Sequence, residues 1–174
     1  MGVDISVFYP DKIKKDIDIL FIGAYEFVDG YDFLEKTLKL LPKNLKTVVL
    51  ASEMKWIDND KSLRNLYSRA KIALSLAYNE PFGLIPLEAM ACGTPVIAVN
   101  EGGYKDSVDD GKSGFLIKRD PDILAKKIEY LLKNEKKLSD FRKYSIDYIT
   151  NDWTWDKKAL IIEKEFKKLI EDEN

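Results

Sequence analysis

Five short apolar runs, each closed by a turn and separated from the next by helical patterns, set the limits on what this chain can become. They are Asp18–Gly23 (DILFIG), Thr47–Ala51 (TVVLA), Ile72–Ala77 (IALSLA), Pro95–Val99 (PVIAV) and Gly114–Ile117 (GFLI). Each is apolar at successive positions, which is the pattern of a strand covered on both faces. Between them the period changes. Phe33, Leu34, Leu38 and Leu41 make a helical stripe within Tyr31–Leu41, stopped by Pro42. Asp60 or Ser62 is placed to cap a helix reaching about Arg69, and Met54–Ile57 is a further short strand candidate. Leu84–Ala91 reads as a helix with Pro86 in its first turn and Gly93 just past its end. A short helix follows Gly103 and stops before Gly111. Asp120–Pro121 opens another, and the rest to Asn174 is charged and mostly helical, broken around Thr150–Thr154. Strands alternating with helices predict an α/β fold: a parallel sheet with helices on both faces.

The 174 residues suit one domain with one core, at roughly 100–200 residues per domain. Residues 1–15 read as a linker-like tail, and residues 16–174 as the domain. With 28 basic and 30 acidic residues the net charge is −2, which gives no footprint for nucleic acid or an anionic membrane. There is no histidine and a single cysteine, Cys92. That removes Ser-His-Asp and Cys-His catalysis, histidine-ligated zinc, multi-cysteine metal sites and an internal disulfide framework. Any chemistry falls to carboxylates, backbone amides, Lys and Arg. The first residues carry Asp4 and no basic stretch, and no apolar run approaches the ~20 residues that span a bilayer. The expected location is the cytoplasm.

In open α/β sheets, ligands bind outside the carboxyl ends of the strands. Four loops are therefore in view: Ala24–Gly30, Ser52–Glu53, Tyr78–Gly83 and Asn100–Gly103. The third, Asn79-Glu80-Pro81-Phe82-Gly83, runs into a helix whose free amides and dipole favour an anion such as a phosphate. Glu80 stands at its mouth, where the plain alternative is a solvated loop acid. Glu88 lies in LIPLEAMAC, a run otherwise apolar on nearly every side, and a carboxylate there needs a partner. A ligand and a neighbouring protein group both meet that need. The fourth loop, Asn100-Glu101-Gly102-Gly103, has adjacent glycines that serve either a tight turn or the close approach of a ligand. Tyr25 and Phe27 offer rings to stack on a base, Trp153 and Trp155 read as packing residues, and Cys92 as a small buried one.

The ordered series EPFGLIPLEAMACGTPVIAVNEGG resembles the donor-site segment of the family four (group 1) retaining glycosyltransferases of the GT-B fold. Glu80 and Glu88 match its glutamate pair, and DGKSGFLI, the opening GVDISVFYPDK and Thr154-Trp155-Asp156 match flanking segments, so the resemblance covers nearly the whole chain. It implies a Rossmann-like domain that is one half of a GT-B fold, the nucleotide-sugar donor-binding half. An N-terminal acceptor-binding domain lies outside this chain, and any membrane contact belongs to that domain. The implied reaction transfers a hexose from a nucleotide-diphosphate sugar to an acceptor with retention, without a bound metal or other cofactor. By the same resemblance Glu80 is the catalytic residue beside the reacting carbon, and Glu88 accepts hydrogen bonds from the ribose hydroxyls. Pro81, Phe82, Gly83 and Leu84 hold the sugar and distal phosphate. Gly102, Gly103 and Gly23 shape the walls of the site. The isolated fragment is expected to be inactive.

Two positions depart from that pattern. Ala24 and Asp29 stand where the family carries an Arg and a Lys that clamp the diphosphate. Lys55 and Lys105 are the candidate substitutes. The departure motivates an alternative, a non-catalytic sugar- or nucleotide-binding relative or partner subunit. A third reading is an unrelated α/β domain such as a signalling receiver; Ala24-Tyr25 argue against it, because they stand where paired acids are needed after the first strand.

Overall fold

The computed structural model describes residues 1–23, 26–50 and 59–172. Five strands, β1 (Ile17–Ile22), β2 (Thr47–Leu50), β3 (Ala70–Ser75), β4 (Val96–Val99) and β5 (Gly114–Ile117), form one parallel sheet in the order β2-β1-β3-β4-β5. The helices are α1 (Tyr31–Leu38), α2 (Asp60–Arg69), α3 (Leu84–Ala91), α4 (Tyr104–Ser107), α5 (Pro121–Leu132), α6 (Glu135–Asp152) and α7 (Trp155–Asp172). This is the expected Rossmann-like α/β architecture. The chain leaves β1 in one direction, to β2, and then crosses back over β1 to reach β3. The loops after β1 and β3 therefore part to opposite sides, and the crevice between them is the topological switch point where ligands of such sheets sit.

Burial explains the sequence pattern. Ile19, Leu20, Phe21, Ile72, Ala73 and Leu74 are buried because both faces of the sheet are covered, α1 and α5 packing together and α3 packing against α2 and α6. α3 is apolar nearly all round because it has neighbours nearly all round. α5 begins as expected, with Asp120 accepting the Asp122 and Ile123 amides and Pro121 in the first turn. Other limits move by a residue or two. β1 and β3 start earlier than their apolar runs, with Ile17 and Ala70 already buried. α1 ends at Leu38, followed by a turn to Leu41. The α2 cap is Asn59, whose side chain accepts the Ser62 amide, and not Asp60 or Ser62 themselves. The C-terminal break falls at Trp153–Thr154. The candidate strand Met54–Ile57 and the positions Ala24, Tyr25, Ser52, Glu53 and Lys55 lie outside the described residues.

The tail is fastened to the domain. The Val3 amide donates to the Trp153 carbonyl at 2.7 Å, and Phe8 is buried with its ring edge-on to Tyr67. In its protonated form Lys15 donates to the Ser68 carbonyl (3.0 Å), the Ala70 carbonyl (2.7 Å) and Thr94 Oγ1 (2.9 Å), so a cation then closes the C-terminal end of α2. No carboxylate pairs with it in these bonds. Burial and the Arg142 charge push its pKa down to about 7, against a small opposing effect of Cys92. Among the described residues no helix is long and apolar enough to cross a membrane.

Candidate functional site

Three loops meet at the carboxyl edge of the sheet. Tyr78 donates its amide to the Val28 carbonyl at 2.8 Å, tying the loop after β3 to the loop after β1. Phe27 stacks on Tyr78 with ring centroids 4.4 Å apart, so this ring packs within the protein while staying 63% exposed. Asp29 is partly buried beside Gly23, where a β-carbon built on the glycine comes within 3.0 Å of Asp29 Cβ.

The loop after β4 packs backbone to backbone on the loop after β3. The Gly103 amide donates to the Glu80 carbonyl at 2.7 Å. A β-carbon on Gly102 comes within 2.2 Å of that carbonyl oxygen, and one on Gly103 within 2.6 Å of Phe82 Cα. Gly102 also has φ +51. The paired glycines are thus explained by the neighbouring loop, whose approach leaves no room for a side chain.

Glu80 turns inward. Its Oε1 accepts the Gly83 amide at 3.1 Å and the Phe82 amide at 3.4 Å, so it caps the start of α3. Two of the amides expected to face a sugar or phosphate are directed at this carboxylate. Leu84 opens the helix with its side chain exposed, and Pro81 is exposed in the turn before it. Phe82 packs edge-on against Trp153, and a pocket of about 240 Å³ lies between Pro81, Phe82, Gly103, Asp106, Trp153 and Lys158.

Glu88 lies farther down α3. Its Oε2 accepts the Tyr67 hydroxyl at 2.9 Å. Burial pushes the carboxyl up to about 7, the Tyr67 bond opposing and Asp60 adding to the rise. The partner that a carboxylate in this apolar run requires is therefore a protein group. Glu80 and Glu88 flank the start of one short helix, Glu80 in the loop at its mouth and Glu88 within it on the flank toward α2.

Two groups at this edge escaped the sequence reading. Arg119, directly after β5, forms a bidentate pair with Glu101, Nη2–Oε2 2.7 Å and Nε–Oε1 3.0 Å. It also donates to the Leu76 (2.7 Å) and Ala77 (3.2 Å) carbonyls, and its guanidinium lies 3.6 Å from the Tyr78 ring centroid. Applying the strand-end rule to β5 as well finds it. Tyr67 has no comparable signal, because only the packing of α2 on α3 brings it to Glu88. Tyr104 lies in the same region; burial and then Glu80 raise its phenol, while a backbone bond from Ala77 and the Arg119 charge oppose the rise. Lys105 is exposed on α4.

A larger cavity, about 480 Å³, lies at the other end of the sheet among Lys15, Lys71, Cys92, Glu135 and Arg142. It adjoins the amino ends of the strands and contains none of the predicted site residues. Among the described residues no group of three or more His, Cys, Asp or Glu side chains is placed to hold a metal ion.

The family model described as Glycosyl transferases group 1 matches residues 50–148, a span that holds the whole Glu80–Gly103 edge. D-inositol 3-phosphate glycosyltransferase 2 of Catenulispora acidiphila is 33% identical over 165 residues, covering 94% of this chain and 37% of its own length. The chain thus spans little more than a third of that relative. The C-terminal domain of a glycosyl transferase group 1 family protein from Francisella tularensis superposes with a TM-score of 0.78 at 21% identity, over 88% of this chain and 100% of that one. The Anabaena protein HepE, solved in complex with UDP-glucose, superposes with a TM-score of 0.76 at 17% identity, over 98% of this chain and 56% of its own.

Proposed function

The chain belongs to the group 1 glycosyl transferases, and from that premise we propose that it is the donor-binding half of an enzyme that moves a hexose from a nucleotide-diphosphate sugar to an acceptor with retention. The observation that carries this reading is the placement of Glu80 in the loop that opens α3 and of Glu88 within α3, at the switch point of the sheet and inside the matched span. Glu88 presents a carboxylate whose Oε1 has no hydrogen-bond partner among the described residues, which suits a ribose diol. Glu80 keeps Oε2 for a sugar hydroxyl beside the reacting carbon while Oε1 holds the helix amides. When a donor enters, the Phe82 and Gly83 amides exchange Glu80 for the incoming oxygens, and the amino end of α3 stabilises charge developing on the departing diphosphate. The reaction we envisage needs no resident metal. The rest of the relatives' length is where we place an acceptor-binding domain, so the chain alone is expected to bind donor without turnover.

A second reading, a relative that binds without transferring, is favoured by one observation. Arg119, a cation at the β3 and β4 loop ends, commits four of its five N–H hydrogens to Glu101 and two carbonyls, so it cannot clamp a diphosphate with a two-pronged grip without breaking those bonds. Equilibrium titration of the chain with UDP, GDP, ADP and their sugar conjugates tests the first reading. Saturable binding of one base class, lost in Glu88→Ala, supports it. No binding of any of them at millimolar concentration overturns it.

A further inference from the structure

We infer that Tyr67 is the positioning residue for Glu88: its buried hydroxyl fixes one carboxylate oxygen, so that the other faces the donor's ribose diol in the ionised, acceptor-only form. This rests on the donor-binding role proposed for Glu88.

Tyr67 is fully buried, and a buried phenol is stable only with a partner for its hydroxyl. Its ring is held from several sides. Phe8 of the tail packs edge-on at 6.2 Å, and the Tyr67 carbonyl accepts from Thr94 Oγ1 at 2.6 Å. Lys15 in turn donates to Thr94 Oγ1 and to the adjoining Ser68 carbonyl. A side chain anchored in this way has little freedom, and the oxygen it presents to Glu88 at 2.9 Å selects one carboxylate orientation. The consequence is chemical as well as geometric. An ionised carboxylate accepts from both hydroxyls of a diol, whereas a protonated one gives up an acceptor site to its own hydrogen. Glu88 sits near the balance point, pushed up to about 7 by burial, and Tyr67 is the contributor that holds it down.

The other groups around Glu88 do not supply that effect. Asp60, at the opposite end of α2, raises the carboxyl further, and Cys92, which caps the C-terminal end of α3, is itself pushed up by burial and by Glu88. Arg142 of α6 approaches the Gly93 end of α3 and acts on Lys15. α4 faces the Gly83 end through the ring of Tyr104, and the β3 and β4 residues beneath α3 are uncharged. Lys71, the one charged residue of β3, is paired with Asp18.

The test is Tyr67→Phe, which keeps the ring and its packing. The Glu88 carboxyl is followed by carbon NMR across pH in the ligand-free chain, and UDP affinity is measured across the same range. A hydrogen bond to an ionised carboxylate is worth roughly one pKa unit or more, so the Glu88 midpoint should rise by about that much. UDP binding near pH 7 should weaken by roughly five-fold and recover by about pH 9. In a Glu88→Gln background the same substitution should change UDP binding little at any pH, a comparison that holds even if Tyr67→Phe lowers stability. An unchanged Glu88 midpoint in folded Tyr67→Phe overturns the inference. So does a loss of affinity that is equal at every pH, which is the mark of a structural role alone. A raised midpoint with no UDP bound by the parent chain overturns instead the donor-binding role on which the inference rests.

Discussion

Arg119 grips Glu101 with two hydrogen bonds, at 2.7 and 3.0 Å, while two further donors hold the Leu76 and Ala77 carbonyls. One side chain thus ties the ends of β3, β4 and β5 together at the edge where the crevice opens. The pair is mostly shielded, with side chains 14% and 30% exposed. Its loss leaves a carboxylate and two carbonyls without partners. Arg119→Met is expected to cost roughly 2–4 kcal/mol in urea unfolding. Arg119→Lys should recover little of it, because an ammonium cannot reproduce the planar fork or the stack on Tyr78. A cost below about 0.5 kcal/mol for Arg119→Met places this residue on the surface energetically and removes it from the account.

Gly102→Ala should be damaging for two separable reasons. The residue has φ +51, and the added carbon would stand 2.2 Å from the Glu80 carbonyl oxygen. Gly111→Ala meets the strain alone, since φ is +78 there and nothing lies within 4 Å of the added carbon. The expected costs are about 1 kcal/mol for Gly111→Ala and clearly more for Gly102→Ala. Only Gly102→Ala should also weaken nucleotide binding, because it displaces the loop that carries Glu80. Equal costs at the two positions would show that the close approach of the loops does not govern Gly102.

Stability should pass through a minimum near neutral pH. The Glu88 carboxyl is raised from 4.5 to about 7 by burial, so between those values the folded chain keeps a proton that the unfolded chain releases. Stability falls as pH rises through that window, by up to about 3 kcal/mol. Lys15 is lowered from 10.5 to about 7, so between pH 7 and 10.5 the unfolded chain holds a proton that the folded chain lacks. Stability climbs again through that window, by up to about 5 kcal/mol. Asp16, held well below the usual carboxylate range by Arg69 and then Lys46, contributes a loss only in acid, below the ordinary aspartate value. Thermal unfolding from pH 4.5 to 10 reads the profile. Glu88→Gln should flatten the acid limb and Lys15→Met the alkaline one; a profile that rises steadily through pH 7 contradicts the Glu88 assignment, and one that falls steadily contradicts the Lys15 assignment.

The fold was legible because apolar runs and turn residues are local properties. All five strands and the span of α3 follow from them, as does the Asp120–Pro121 start of α5. Element limits shifted where burial extends past the apolar run, as at Ile17 and Ala70. Strand order was not legible, since it depends on which way each crossover turns. Neither Tyr67 at Glu88 nor Arg119 at Glu101 was visible without it: the first pair joins two helices and the second two loops. Glu80 shows the limit from another side. Its place at the mouth of α3 followed from the sequence, but its bonds to the Phe82 and Gly83 amides depend on a turn geometry that the residue order alone leaves open.

The measurement that bears most directly on the donor-binding claim is amide NMR mapping of UDP-glucose on the isotope-labelled chain. The account predicts saturable shifts at Phe82, Gly83, Glu88 and Gly103, with little change around Lys15, Gly93 and Arg142 at the opposite end of the sheet. Shifts confined to that opposite cavity, or none along Glu80–Gly103 at saturating ligand, would contradict it.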